Sequence, residues 1–425
     1  MTAPTGGTGQ QAASGEDPTA TAAPEEQRRE VEPTTIADYA RGWWQRVRAG
    51  DLGSLPIVVG LILITVIFTT LNERFLSAVN FVNLIVQTSP LAIIAIGIVF
   101  VLVIAEVDLS VGYLSGVSAV LLARFLGEEA WPVYAAIPAV LAVGAFVGFI
   151  QGWLVAKIGL PSLIVTLGGL VGLNGAVLIL IGGRGTIVVQ NDAIIAIANE
   201  YLPNPVSYVI VVVAAVALAA VHLRRRQRRQ AAGLATTPVS IIAIRVSALL
   251  AIGLAAVTFA ARSRGIPLVG LILLILLVIF SIVLGRTGFG RHVYAVGGNP
   301  EAARRAGVNV DRVRITCFMI SATMAALGGI VFASRLRSVD TGAGGGQIEL
   351  NAIAAAVIGG TSLFGGRGRI SSALLGALVI MGVDNGMGLL GLSSGAKFVV
   401  TAIVLLAAVV VDSIARRGRT RSGVA

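Results

Sequence analysis

Long apolar runs recur along most of the chain, and they constrain its fold more than any other feature. Most of them approach 20 residues, the length of helix that crosses the roughly 30 Å hydrocarbon core of a bilayer. Hydrophobic residues make up 56% of the sequence and charged residues 12%, whereas an average soluble domain has about 25% charged residues. A water-soluble core could not bury so many such runs. The sequence therefore predicts an all-α polytopic membrane protein.

Twelve runs are candidate spans, and because several are short or interrupted by glycine we expect about 10–12 transmembrane helices. The runs lie at 55–71, 84–105, 108–126, 132–155, 162–182, 206–223, 239–261, 266–285, 314–334, 350–365, 370–391 and 397–413. Runs 108–126 and 350–365 are the best candidates for half-helices or re-entrant elements. Non-helical backbone at membrane depth is tolerated only inside a protein, so we expect both inside the bundle.

The first fifty residues differ from the rest of the chain. The N-terminal stretch is rich in Gly, Ala, Thr, Pro and Glu and has no apolar core, a composition typical of disorder. It also lacks the basic and apolar regions of a cleavable signal peptide. Segment 39–50, YARGWWQRVRAG, has two tryptophans and three arginines, which suits the membrane interface. We therefore expect a disordered cytoplasmic tail with an interfacial segment over 1–50 and a transmembrane domain over 51–425.

Arginines are concentrated in alternate loops, and this distribution sets the orientation of a membrane protein. With the N-terminus inside, the cytoplasmic loops include RRRQRR (224–229), the arginine-rich loop 286–314 and the C-terminal RRGRTR (416–421). We therefore predict a multi-pass protein of the plasma (inner) membrane with both termini in the cytoplasm. The formal net charge of +11 follows from this topology, so we expect no nucleic-acid partner.

Segment 297–315, GGNPEAARRAGVNVDRVRI, is a polar interruption on the predicted cytoplasmic side. Asn299 can cap a short helix, Pro300 suits its first position, and Glu301 favours its positive dipole end. Gly307 would end this helix, and Asp311 could cap a second one. The residues alone leave two interpretations open: an ordinary capped loop with lipid-facing arginines, or a short rigid element that another protein contacts.

Polar side chains within or beside apolar runs are costly in lipid, and they often mark a transport pathway. Asp108 and Ser110 resemble the capped start of the first half-helix, and Glu349 and Asn351 open the second in the same manner. The structural alternatives are helix capping and interhelical hydrogen bonding. The candidates for a polar pathway or a half-helix start are Gln87, Glu106, Asp108, Ser110, Asn174, Glu349, Asn351, Asp384 and Asn385.

Sequence signatures of catalysis are absent. No stretch fits the phosphate-binding pattern G-x-x-x-x-G-K-[ST], and no H-E-x-x-H zinc motif occurs. Cys317 is the one cysteine, and its apolar surroundings indicate a small buried hydrophobe. His222 and His292 lie at loop edges, where solvated polar roles are the simplest interpretation. We therefore expect neither an enzyme nor a chain that binds a metal or a cofactor.

Four motifs together resemble a known family. GGNPEAARRAGV (297–308) resembles the coupling-loop signature of bacterial ABC importer permeases, in which Glu-Ala-Ala precedes a glycine. EVDLSVGYLSGVSAVL (106–121), the LPSLIVTLGG segment (160–187) and the IELNAIAAAVIGGTSLFGG segment (348–380) are similar to the permease branch for pentoses and related sugars. The longer middle of the chain, 188–265, with its Arg-Gly-Ile-Pro, resembles xylose-type permeases more than ribose-type ones.

The resemblance implies a non-catalytic subunit that moves a monosaccharide, a pentose such as xylose in the first instance, across the membrane. Two copies would form the pathway, cytoplasmic ATPase subunits would hold ATP and Mg²⁺, and an extracellular or periplasmic binding protein would deliver the sugar. The alternative is an ion-coupled secondary sugar carrier, which would need no separate ATPase. The residues that the resemblance assigns to ATPase coupling are Asn299, Glu301, Ala302, Ala303, Arg304, Arg305 and Gly307.

Overall fold

The computed structural model describes residues 55–403 except residue 235, together with residues 41 and 406. Apart from Arg41, the N-terminal tail and its interfacial segment lie outside the described residues, and so do the C-terminal arginines. The first helices are α1 Leu55–Leu71, α2 Ala78–Val103, α3 Val111–Gly127, α4 Val133–Trp153, α5 Ser162–Ile181, α6 Asp192–Asn199 and α7 Asn204–Ala231.

The second half of the described chain is also helical. It contains α8 Val239–Ala261, α9 Leu268–Arg286, α10 Gly288–Gly298, α11 Pro300–Arg305, α12 Val310–Leu336, α13 Ile348–Ile358, α14 Ile370–Leu389 and α15 Ser394–Ile403. Two short strands, β1 Thr186–Val188 and β2 Ser338–Asp340, pair antiparallel with Ile187 opposite Val339. Prolines directly precede α4, α5, α7, α8 and α9, where the missing N–H leaves no backbone donor unsatisfied.

The predicted all-α membrane class is confirmed. Within the described residues, eight helices are long and apolar enough to cross a membrane, and four shorter apolar helices accompany them. Each of the twelve predicted runs overlaps one of these helices. The four shorter ones are α1, α3, α13 and α15, so both predicted half-helices belong to this group.

Helices α2 and α12 form the centre of the bundle. Helix α12 packs against α2, α3 and α4, and α2 also contacts α13 and α14. Every residue from Thr88 to Val103 of α2 is buried, as expected for a helix that is surrounded by protein. The peripheral helices α5, α7, α8 and α9 instead expose large apolar side chains, which suits contact with lipid. The core therefore lies around two central helices.

Glycines bring α4 unusually close to α12. Gly144, Gly148 and Gly152 recur every four residues on one face of α4, and an added Cβ at Gly148 would lie 2.5 Å from the Phe318 carbonyl oxygen of α12. Residues four apart share a helix face. Small residues at this spacing allow close backbone approach between helices in membranes. The α4–α12 contact therefore depends on these three glycines.

The two predicted half-helices meet at their N-termini. Residues 341–347 pass from β2 along α3, with Ala343 and Gly344 packed against Gly112 and Gly116, and α13 begins from there. At 11 residues, α13 is about 16 Å long, too short to cross the hydrocarbon core. It ends at Ile358 and not at residue 365 as predicted, because Gly360 takes a positive φ of 101°.

Those loops predicted to be cytoplasmic that the structure describes gather at one end of the bundle, called the lower end. There, the Tyr294 hydroxyl donates to the Gly368 carbonyl at 2.6 Å, and Lys157 pairs with Asp311 at 2.8 Å. The opposite, upper end contains the β1–β2 pair and the Arg184–Glu128 ion pair. Segment 297–315 thus lies at the lower end, among the loops that follow α2, α4 and α13.

Candidate functional site

The short helix α11 is built as the sequence predicts. The Asn299 side chain accepts a hydrogen bond from the Ala302 N–H at 2.9 Å, Pro300 opens the helix, and Gly307 follows it with a φ of 82°. Glu301 lies 3.6 Å from Arg304 and 3.8 Å from Arg305 in solvent-exposed ion pairs. Such pairs contribute little stability, so cap and proline define the helix.

The helix after the turn is capped by a different residue than predicted. Asn309 accepts from the Arg312 N–H at 2.9 Å, whereas Asp311 lies within the first turn of α12. The Asp311 carboxylate pairs with Lys157 at 2.8 Å. The prediction that Asp311 caps this helix is therefore wrong, because Asn309 lies one residue before the helix starts and its amide oxygen reaches the N–H donor.

Helix α11 is anchored through one residue and exposes the others. Ala303 is buried, and Asn299, Glu301, Ala302, Arg304, Arg305 and Gly307 are exposed. The preceding Gly297 packs so closely on the Val103 carbonyl that a Cβ would overlap with it. Burial raises the pKa of the neighbouring Tyr294 hydroxyl, which keeps it protonated as a donor to the 359–369 loop. The result is a firmly seated element with an exposed polar face.

Asp108 binds the α2–α3 loop to the central helix α12. It is 1% exposed, and its carboxylate accepts from the Ser110 N–H at 3.0 Å, from the Ser110 hydroxyl at 2.7 Å and from the Ser321 hydroxyl at 2.9 Å. Ser110 occupies the N-cap position of α3 but makes no side-chain capping bond. Asp108 and Ser110 thus form a link between elements, and the predicted side-chain cap of α3 is wrong.

Side chains of α4 and α5 complete this buried network. The Val107 N–H donates to the Ser162 hydroxyl, and the Val107 carbonyl accepts from Thr166, both at 3.3 Å. The Ser110 hydroxyl oxygen also lies 3.1 Å from the side-chain amide of Gln151. These contacts satisfy a non-helical loop that is buried within the bundle. Gln151, Ser162 and Thr166 were not among the predicted residues, although Gln151 interrupts an apolar run as plainly as Asn174 does.

Two predicted acidic residues flank this loop without joining the network. Glu106 pairs with Arg314 at 3.2 Å, where both side chains are mostly buried. Arg314 belongs to the first turns of α12, directly after segment 297–315, so the pair connects that segment with the α2–α3 loop. Glu349, in the first turn of α13, places its carboxylate against Gly112, where a Cβ would overlap with it. It therefore lies against the N-terminus of α3, and its buried Oε2 atom has no hydrogen-bond partner among the described residues.

A cavity near the upper end collects three of the predicted pathway residues. Gln87, Asn351 and Asp384 line a space of about 350 Å³ together with Arg335, Gln347 and Lys397. The Asp384 carboxylate lies 3.5 Å from the Lys397 ammonium group. Amide and charged groups thus line part of a space between α2, α12, α13, α14 and α15, and apolar side chains line the rest: Leu91, Phe332, Ile348, Ile380, Met381 and Phe398. Such a lining offers both donors and acceptors to a polar, uncharged molecule.

Asn385 supports the cavity wall from behind. Its amide nitrogen donates to Gln87 at 3.2 Å and to Asn80 at 3.0 Å, and Asn80 donates back at 2.8 Å. This exchange crosses between α2 and α14 and fixes the Gln87 side chain. The side chain of Asn174, on α5, makes no hydrogen bond within the described part of the chain. The nine predicted residues therefore fall into a cavity group, a loop group and the isolated Asn174.

Comparison with known proteins identifies the class of transporter. Residues 80–409 match the family described as branched-chain amino acid transport system / permease component. The xylose transport system permease protein XylH of Escherichia coli (strain K12) is 37% identical over 384 residues, which cover 90% of this chain and 97% of that protein. XylH of Haemophilus influenzae is 34% identical, over 85% of this chain and 96% of its own length.

A ribose permease is similar at a slightly lower level. The ribose import permease protein RbsC of Haemophilus influenzae is 32% identical over 355 residues, 84% of this chain and 91% of its own. No solved structure matches the chain. The family match spans the polar cavity, the buried loop network and the exposed helix α11, so all three features lie within the shared permease region. The chain therefore belongs to the family of branched-chain amino acid transport system permease components.

Proposed function

We propose that this chain is the membrane subunit of an ATP-driven importer for a monosaccharide. The similar proteins are named as xylose and ribose permeases, and the higher identity to the xylose proteins favours a pentose such as xylose. The cavity lining combines amides and charged groups, Arg335 among them, with apolar side chains, and its dispersed donors and acceptors support a polyhydroxylated substrate. The Asp384 charge is paired with Lys397 within this lining.

The assembly that this function requires has further partners. A cytoplasmic ATPase subunit, which holds ATP and Mg²⁺, docks on the exposed face of α11. An extracellular or periplasmic binding protein delivers the sugar to the upper end, and two copies of this chain associate in the membrane. In this arrangement the lower end and both termini face the cytoplasm.

The observation that carries the coupling assignment is the construction of α11. Asn299 caps it, Ala303 anchors it, and two ion pairs connect its surroundings to the rest of the bundle: Lys157–Asp311 to the helical turn directly after α4, and Glu106–Arg314 to the α2–α3 loop. A push on α11 would thus reach the buried loop network. An ordinary surface loop would not need these connections.

Gly307→Asp tests the coupling assignment, because it adds a charged side chain to the exposed turn after α11. We expect normal abundance in the membrane but a loss of ATPase co-purification and of sugar uptake. Gly233→Asp is the matched control: Gly233 also has a positive φ, 66°, and open space around it, yet it lies between α7 and α8. Unchanged uptake and ATPase association for Gly307→Asp would reject the assignment.

The ion-coupled carrier is tested separately by reconstitution. Liposomes containing this chain, its ATPase and its binding protein are expected to accumulate sugar only when ATP is present on the side of the membrane that carries the ATPase. Accumulation by the purified chain alone, driven by a sodium or proton gradient, would establish the carrier instead. This measurement does not depend on the folding of any variant.

A further inference from the structure

A basic cluster lies at the lower ends of α7, α8 and α9. The sequence contains no Asp or Glu between Glu200 and Glu301, and the arginines of this stretch are concentrated in RRRQRR. Arg224, Arg225, Arg228, Arg245 and Arg286 are exposed. No acidic residue in the described part of the chain forms an ion pair with any of these five. Their charges therefore have no counterpart in the described protein.

The arginines of the cluster come from three different helices. Arg225 of α7, Arg245 of α8 and Arg286 of α9 all act electrostatically on the half-buried His222 of α7, so they converge on one region. Like charges gathered in one region repel one another, and an anion bound among them offsets this repulsion. Because guanidinium groups bind phosphate through paired N–H donors, a phosphate group is the anion that this arrangement suits.

An apolar groove leads away from the cluster along the membrane-facing surface. It has a volume of about 360 Å³, lies between α7 and α9, and is lined by Val209, Ile210, Val213, Ala214, Ala217, Leu271, Leu274, Ile275, Val278 and Ile279. Ala217 and Ile279, at its near end, precede Arg224 and Arg286 by the same interval. That interval of seven residues corresponds to about 10 Å of helix.

We propose that this surface binds an anionic phospholipid of the adjoining leaflet. The phosphate lies among Arg224, Arg225, Arg245 and Arg286, and one acyl chain lies in the α7–α9 groove. The groove favours a lipid over a soluble anion, because a free phosphate would leave it empty. Basic pockets between the ends of membrane helices are suited to acidic headgroups. The site is separate from the cavity and from α11, so it does not depend on the proposed transport function.

Lipid retention by the purified full-length chain tests the proposal. Native mass spectrometry would compare phosphatidylglycerol with phosphatidylcholine of the same acyl chains. Since each arginine near an anionic surface contributes about 1 kcal/mol, Arg225→Gln/Arg245→Gln should lower the preference for phosphatidylglycerol by roughly tenfold or more. Arg74→Gln/Arg262→Gln removes two exposed arginines of the upper end and should leave the preference unchanged. Equal losses in both double variants would overturn the proposal.

A second pair of variants tests the groove, and this test remains valid if the arginine variant fails to fold. Ala217→Phe fills the near end of the groove and should reduce retention of both lipids, most visibly of phosphatidylglycerol. Val216→Phe places the same ring on an exposed neighbouring position outside the groove and should not. Full retention in Ala217→Phe, or displacement of phosphatidylglycerol by equimolar inorganic phosphate, would show that no acyl chain occupies the groove.

Discussion

At the scale of single residues, Asp108 accepts three buried hydrogen bonds, and its removal leaves their donors unmet. Asp108→Asn keeps an amide oxygen for the Ser110 donors, and the Ser321 hydroxyl can rotate to accept from the amide nitrogen, so we expect folding and most of the sugar uptake to persist. Asp108→Leu leaves those donors unsatisfied, at about 1–3 kcal/mol for each buried group. Folded yield, measured by fluorescence-detected gel filtration, should fall for Leu only.

Ser321→Ala separates the two possible roles of Asp108. It removes one donor to the carboxylate but leaves the charge in place, so a purely structural role predicts a mild loss of yield that is smaller than that of Asp108→Leu. If Asp108→Asn abolished uptake at normal abundance while Ser321→Ala had no effect, the negative charge would be the feature that transport requires.

Polar positions inside the bundle, though not their roles, were predictable where a polar group interrupts an apolar run. Asp108, Gln87 and Asn385 were found in this way, because their burial is costly without partners. Ser162, Thr166 and Ser321 were not, since serine and threonine hydroxyls can bond the carbonyl of their own helix and therefore carry no clear signal. Asn309 and Asp311 are both good capping residues two positions apart, and only the observed start of α12 distinguishes them.

At the scale of helices, the α4–α12 contact is sensitive to a single methyl group. Gly148→Ala would place a Cβ 2.5 Å from Phe318 O and 2.8 Å from the Met319 Cα, so the helices must separate. Overpacking of this kind costs about 1–3 kcal/mol. We expect a lower fraction of folded protein after heating in detergent. Gly60→Ala in α1, which has no neighbour within 4 Å, should be neutral or slightly stabilising because alanine is the better helix former.

The Glu106–Arg314 pair predicts a coupling defect that a second charge reversal repairs. Arg314→Glu places two carboxylates opposite each other in a mostly buried position. We expect the ratio of sugar molecules transported to ATP molecules hydrolysed to fall, while the chain still binds the ATPase. Glu106→Arg/Arg314→Glu restores opposite charges and should recover part of this ratio. The equally long Arg124–Glu128 pair at the upper end is the control, and Arg124→Glu should leave the ratio unchanged.

A result in which both reversals lowered the ratio equally, and the double variant lowered it further, would contradict transmission through the pair.

The helix boundaries of this region were largely predictable, because caps, prolines and apolar length are local signals. The path of residues 341–347 along α3 was not predictable. It depends on Gly344 packing against Gly112 and Gly116, which lie far from it in the sequence. Glycine content alone does not identify the partner of each glycine.

At the scale of the whole molecule, orientation is the prediction that reaches furthest, because the docking sides of the ATPase and of the binding protein both follow from it. The arginine distribution assigns 224–229 and 286–314 to the cytoplasm, and the structure brings the corresponding helix ends together at the lower end. The sequence could predict this grouping because charge bias is a property of loops. It could not predict the cavity, because α2 lines it from one end of the described chain while the other four helices, α12 to α15, follow one another at the opposite end.

Labelling of single cysteines in intact cells measures the orientation directly. With Cys317→Ala removing the one native cysteine, which is fully buried, Gln227→Cys at the exposed lower end should react with a membrane-impermeant maleimide only after the cells are opened. Thr341→Cys, in the exposed loop that follows β2, is the matched position toward the upper end and should react in intact cells. Reaction of Gln227→Cys but not of Thr341→Cys in intact cells would invert the topology and would place α11 out of reach of any cytoplasmic ATPase.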